Sequence, residues 1–162
     1  MRVLRSAIAF AALIAGLAGT ASAQTATQTV TYQVQAINQI SVSGNPSALV
    51  VSSATAGSTP TSATNNSTTW AITTNETTKK VTAAINTAMP TGLTLSAQLA
   101  APSGATSAGS VALGTTAVDL VTGINTLNQS GLTITYTLDA TSAAGVVPSS
   151  TKTVTFTVVT GP

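Results

Sequence analysis

The chain has 162 residues, five of them Lys or Arg and three Asp or Glu, with neither His nor Cys. Arg2 and Arg5 fall in a leader-like segment, so the chain after Ala23 is neutral, with Lys79, Lys80 and Lys152 set against Glu76, Asp119 and Asp139; the pI of 9.4 belongs to the leader. That balance argues against nucleic acid as a partner, because phosphate recognition needs a basic, Arg-rich surface. It also removes the usual groups for acid/base, thiol and transition-metal chemistry.

Residues 1–23 read as a secretory signal peptide. Arg2 and Arg5 make the positive start, Ala7 to Ala18 the apolar run, and Ala21-Ser22-Ala23 the small-residue cleavage site. The run is shorter than the roughly 20 residues that cross a bilayer, and no membrane span is expected in the mature chain. The expected location is therefore secreted, extracellular or at the cell surface, and a domain without Cys must hold itself together by its core and its hydrogen bonds.

After the leader, Thr supplies 32 of 139 residues, and Val, Ile, Ala and Ser accompany it. Thr and Val are stiff at χ1 and suit a pleated sheet, while Thr, Ser and Asn compete with helical backbone bonds. The first extended stretch, Thr27 to Ser43, contains no Gly or Pro. Val30, Tyr32, Val34, Ala36, Ile40 and Val42 point one way, Thr29, Thr31, Gln33 and Gln35 the other, and Ile37-Asn38 breaks the pattern. Fully extended it would cover about 56 Å, well beyond a usual strand of roughly five or six residues. Two arrangements are open: a bend at Ile37-Asn38 that carries one strand between two sheets, or residues 24–36 leaving the domain to add as a strand to a neighbouring subunit, with Val30, Tyr32, Val34 and Ala36 as the contact face.

Further on, period-two alternation marks strands at Trp70 to Thr74, Val81 to Ile85, Leu93 to Leu99, Val111 to Leu113, Leu132 to Leu138 and Val154 to Val158. Ala48 to Val51 and Val118 to Val121 are short apolar runs suited to buried strands. Turn clusters separate them, including Asn75 to Lys80, Met89 to Gly92 and Asn128 to Gly131, and Ser52 to Ser67 reads as a mobile surface loop. The pattern predicts an all-β protein: one antiparallel immunoglobulin-like β-sandwich of about eight or nine strands over residues 37–162, with a closed barrel as the alternative. Trp70, Tyr136 and Phe156 are the expected core aromatics.

Little chemistry is expected. A nucleophilic Ser would need Lys79, Lys80 or Lys152 as its base, and no Ser-x-x-Lys motif is present, so the chain is read as not an enzyme. No Asp-rich calcium loop occurs, and no metal or other cofactor is expected. A Lys–Asn or Lys–Asp isopeptide bond needs a carboxyl close by; the Lys152 stem could turn inward, but Asp119 and Asp139 share the outward parity of their strands and Glu76 falls in a turn. Trp70 with Tyr32, Tyr136 and Phe156 could stack on a sugar, although Trp70 alternates with Ile72 as a core residue would. Thr133, Thr135 and Thr137 would form a flat hydroxyl array with Thr153, Thr155 and Thr157 if the last two strands pair.

The tail, Ser130-Gly131-Leu132-Thr133-Ile134-Thr135-Tyr136-Thr137-Leu138, Gly145-Val146-Val147-Pro148 and Thr153-Val154-Thr155-Phe156-Thr157-Val158, resembles the closing hairpin of secreted bacterial pilin-like sandwiches, and Trp70 to Leu99 is similar in layout. That group includes chaperone-usher fimbrial subunits and spore coat U-like proteins. The resemblance implies an immunoglobulin-like subunit that polymerises by donating an N-terminal strand, although the Cys pair and the C-terminal aromatic of many such proteins are missing. The combined expectation is a structural subunit of an extracellular fibre, pilus-like filament or surface matrix that associates with itself. The alternative is a monomeric adhesive or carbohydrate-binding module with surface or glycan contacts. Three acids and three bases supply little charge repulsion against association in either case.

Overall fold

A computed structural model describes residues 23–161. The described residues fall into two units that divide between Gln33 and Val34. In the first, the described residues form no strand, and Val30 and Tyr32 are 73% and 90% exposed. The segment read as a signal peptide lies, apart from Ala23, outside the described residues.

Among the described residues the second unit is an antiparallel β-sandwich of nine strands in two separate sheets, and not the closed barrel that the alternation equally allows. One sheet has the order β1 (Asn38–Val42), β2 (Ala63–Thr74), β8 (Leu127–Ala140), β4 (Leu93–Leu99), β6 (Val111–Ala112). The other runs β5 (Thr106–Ser107), β7 (Val118–Ile124), β3 (Lys79–Ile85), β9 (Val154–Thr160). Alternate residues of β2, β8, β4 and β3 face the other sheet, so Trp70 and Ile72, Ile134 and Tyr136, and Leu95, Ala97 and Leu99 meet Val81, Ala83 and Ile85 in one core. Leu120, Val121 and Ile124 of β7 join it where register shifts against β3 break the alternation. The Trp70 indole N–H donates to the Ala100 carbonyl at 3.2 Å, which satisfies its polar atom inside the core.

Several expectations about individual elements are corrected. Ala48 to Val51 forms no strand, because its apolar residues find no ladder partner and only Leu49 packs against the core. The Ser52 to Ser67 stretch is not all loop: Ala54 and Pro60 form a bridge, and Ala63 onward pairs with β8. Asn128 to Gly131 is not a turn but part of β8, where Gly131, at φ 71°, accompanies the register shift between the Trp70–Leu132 and Ile72–Gln129 pairs. A β-bulge there lets β8 continue past residues that read as a break. Leu132–Leu138 and Val154–Val158 do not form a hairpin, and the two Thr rows make no common array: β8 and β9 belong to opposite sheets, joined by a crossing segment that includes a 3₁₀ turn at Ser142–Ala144. Parity along a strand says which residues share a face, not which strand lies beside it.

That crossing segment seats on Gly92. The Thr141 N–H donates to the Gly92 carbonyl at 2.8 Å, Gly92 has φ 79°, and a Cβ there would lie 2.5 Å from the Ala144 nitrogen. Gly92→Ala should therefore cost about 2–3 kcal/mol in urea unfolding, combining left-handed strain with backbone collision. Gly131→Ala, where nothing lies within 4 Å of the added methyl, should cost only the strain, about 1 kcal/mol.

Candidate functional site: the open edge of β9

Among the described residues strand β9 pairs with β3 alone, in the register Val81↔Val158, Ala83↔Phe156, Ile85↔Val154. Two flanking bonds set which residues face β3: Asn86 N–H donates to the Thr153 carbonyl at 3.0 Å, and Gly161 N–H to the Thr78 carbonyl at 2.6 Å. Antiparallel bonding alternates, so Thr153, Thr155, Thr157 and Val159 direct their peptide groups at β3. Val154, Phe156 and Val158 direct theirs to the free edge. The same three residues turn their side chains inward and are only half-buried, whereas their partners Val81, Ala83 and Ile85 are buried. Unused backbone donors and acceptors thus coincide with incompletely covered apolar side chains.

The facing rim comes from the other sheet. Strand β1 is also an edge strand and approaches β9, and Ile40, Leu49 and Met89 are half-buried against the core. Covering such an edge takes an extended segment with apolar side chains at every second position.

Val30 through Ala36 has that pattern and the same number of residues as β9. Val30, Tyr32 and Val34 are highly exposed, Ala36 is exposed, and none lies in a strand. The break in alternation at Ile37-Asn38 coincides with the start of β1, where Asn75 holds the chain by accepting from the Ile37 N–H at 2.7 Å and donating to the Gln35 carbonyl at 2.8 Å. Of the aromatic residues, Trp70 and Tyr136 are buried, at 1% and 6% exposure, and Phe156 is half-buried on β9. Burial also raises the Tyr136 phenol above its ordinary pKa. With Trp70 in the core, these rings form no exposed stacking platform.

The charged side chains among the described residues are each ion-paired or hydrogen-bonded. Lys80 pairs with Asp119 at 3.0 Å, Asp139 accepts from Ser62, and the Lys152 ammonium donates to Thr87 Oγ1 at 2.7 Å and the Ala88 carbonyl at 2.8 Å. Glu76 departs from expectation. Its turn does not isolate it: Oε2 accepts from the Asn38 side-chain amide and lies 3.1 Å from Lys79 Nζ. The Asn38 hydrogen bond, followed by that from Lys79, holds the Glu76 carboxyl below its usual range. Among the described residues no three His, Cys, Asp or Glu side chains converge as a metal site would need, and no helix is long and apolar enough to cross a membrane. Two shallow depressions, one between Thr73 and Asn128 and one between Val42 and Gly131, contain no titratable group.

The edge role of β9 was hidden in the sequence because Val154-Thr-Phe-Thr-Val158 alternates identically whether one neighbour or two flank it. The Glu76–Lys79 spacing across a turn was the available signal for the ionic cluster. Compared with models of known families and with curated proteins, the chain matches none.

Proposed function

We propose that the protein is a secreted structural subunit of an extracellular fibre, pilus-like filament or surface matrix, in which residues 24–36 of one copy lie along β9 of the next. The observation that supports this reading is the presence in one chain of an exposed alternating segment and of an edge whose free peptide groups and half-buried side chains belong to the same residues, Val154, Phe156 and Val158. Val30, Tyr32 and Val34 would complete the core while main-chain bonds supply affinity along the ladder. Such a contact joins different surfaces of two copies, so repeating it builds a filament unless the rotation closes a ring. The near absence of charge removes a common barrier to association.

Electron microscopy of the purified mature protein should show regular polymers; a protein that stays monomeric at all concentrations would favour the adhesive or carbohydrate-binding module instead. Val158→Pro probes the edge itself. The Val158 N–H faces away from β3, so proline there should leave the β3–β9 ladder in place, as edge positions tolerate. It removes one donor and crowds an incoming strand, which should weaken each junction by about tenfold or more. Circular dichroism should remain that of the parent while polymer is lost. Unchanged polymer would place the junction elsewhere.

A further inference from the structure

Asn38, Thr74, Glu76 and Lys79 form a cluster whose parts have complementary chemistry. Asn38 opens β1 and pairs with Thr74 at the end of β2, while Lys79 opens β3 in the opposite sheet. Thr74 is 2% exposed; its hydroxyl accepts from the Glu76 N–H at 3.1 Å, which directs its own proton to Asn38 Oδ1 at 2.8 Å. One oxygen of Glu76 meets both the Asn38 amide nitrogen and Lys79 Nζ. The Lys79 side chain is 11% exposed and is also held by Thr160 Oγ1 at 3.1 Å. The turn that delivers it carries Thr78 at φ 53°, an uncommon conformation for a β-branched residue, fixed by Asn125 and by the Gly161 N–H.

We infer that this cluster is a self-modification site at which Lys79 Nζ and Asn38 Cγ join in an isopeptide bond with release of ammonia. Glu76 is held as the anion by Asn38 and Lys79, so the reactive state is the minor neutral pair, in which the Lys79 ammonium has passed one proton to the Glu76 carboxylate 3.1 Å away and the resulting amine attacks Asn38 Cγ. The Thr74 hydroxyl stabilises the charge that develops on Oδ1. A second Nζ proton travels through the Glu76 carboxyl to Nδ2, the Cγ–Nδ2 bond breaks, and ammonia departs. The proton left on Glu76 goes to solvent or to the ammonia. No oxidant or other reactant is consumed. An ordinary amide resists an amine in water, and the gain here comes from holding nucleophile, acceptor and proton carrier together in one partly buried place. The product ties β1 to β3 across the two sheets, within a single chain and independently of any polymer.

Intact-mass spectrometry of the denatured mature protein should find one ammonia fewer than the sequence requires, and tandem fragmentation should give no backbone cleavage ions within the loop from Asn38 to Lys79. Lys79→Arg keeps a cation beside Glu76 without a nucleophilic amine, and Glu76→Gln keeps a partner for Asn38 without a proton acceptor. Both should show the full mass, with circular dichroism confirming that they fold. Fragment ions separate the ammonia lost when an N-terminal Gln24 cyclises from that lost between Asn38 and Lys79. Three results for the latter segment would overturn the inference: full mass in the parent protein, ammonia loss that survives Lys79→Arg, as a cyclic imide at an Asn would give, or loss that survives Glu76→Gln.

Discussion

If residues 24–36 join one copy to the next as proposed, deleting residues 24–34 is expected to leave a folded monomer. The deleted residues belong to no strand, and the deletion spares Gln35 to Ile37, where Asn75 grips the backbone, so the ladders and the buried core stay intact. What is removed is Val30, Tyr32 and Val34, the side chains proposed to fill the gap beside Phe156. Sedimentation velocity should show only monomer, with circular dichroism unchanged. A synthetic peptide of residues 24–36 should then bind the truncated protein and raise its Tm in proportion to RT ln(1 + [L]/Kd), about 2.7 kcal/mol of stabilisation at a hundredfold excess over Kd. The same peptide with Val30, Tyr32 and Val34 replaced by Thr keeps the backbone but loses the apolar face, and should give little shift. Polymers that persist after the deletion would defeat strand addition.

The second large effect is expected in the core. Trp70→Ala should destabilise the sandwich by about 3–5 kcal/mol, the range for truncating a large buried aromatic, because a cavity opens and the Ala100 carbonyl loses its indole partner. Against a total stability of about 5–15 kcal/mol this is enough to unfold a substantial fraction of molecules. Trp70 is the only tryptophan, so urea unfolding is best followed by circular dichroism. Val146→Ala, at a fully exposed position, should change stability by less than about 0.5 kcal/mol and serves as the control. A Trp70→Ala protein with parental stability would contradict the packing described for β2.

The two effects have different origins, and they bear on how far the primary structure reveals the molecule. Composition and period were sufficient for the class of fold. Thr and Val at alternating positions exclude a helical core, and Leu93 to Leu99 and Val154 to Val158 can be marked closely because their inward and outward residues differ sharply in polarity. The long leading stretch also announces its break, since Ile37-Asn38 interrupts the alternation where β1 begins. Gly131 misled for a physical reason: a positive φ serves a turn and a bulge equally well, and only the pairing of β2 with β8 distinguishes them.

Adjacency was decided by tertiary structure alone. Alternation assigns each side chain to a face, but the choice of neighbouring strand depends on contacts remote in sequence, which bring Val81 opposite Val158 and Asn38 opposite Thr74. For that reason the residue pattern determined an antiparallel, Thr-clad all-β fold and an apolar leading segment, and left the choice between sandwich and barrel to the folded chain. The crossover of β8 and β9 to opposite sheets, the free edge on β9 and the meeting of Asn38, Glu76 and Lys79 required the folded chain, because each is a property of how two sheets close over one core.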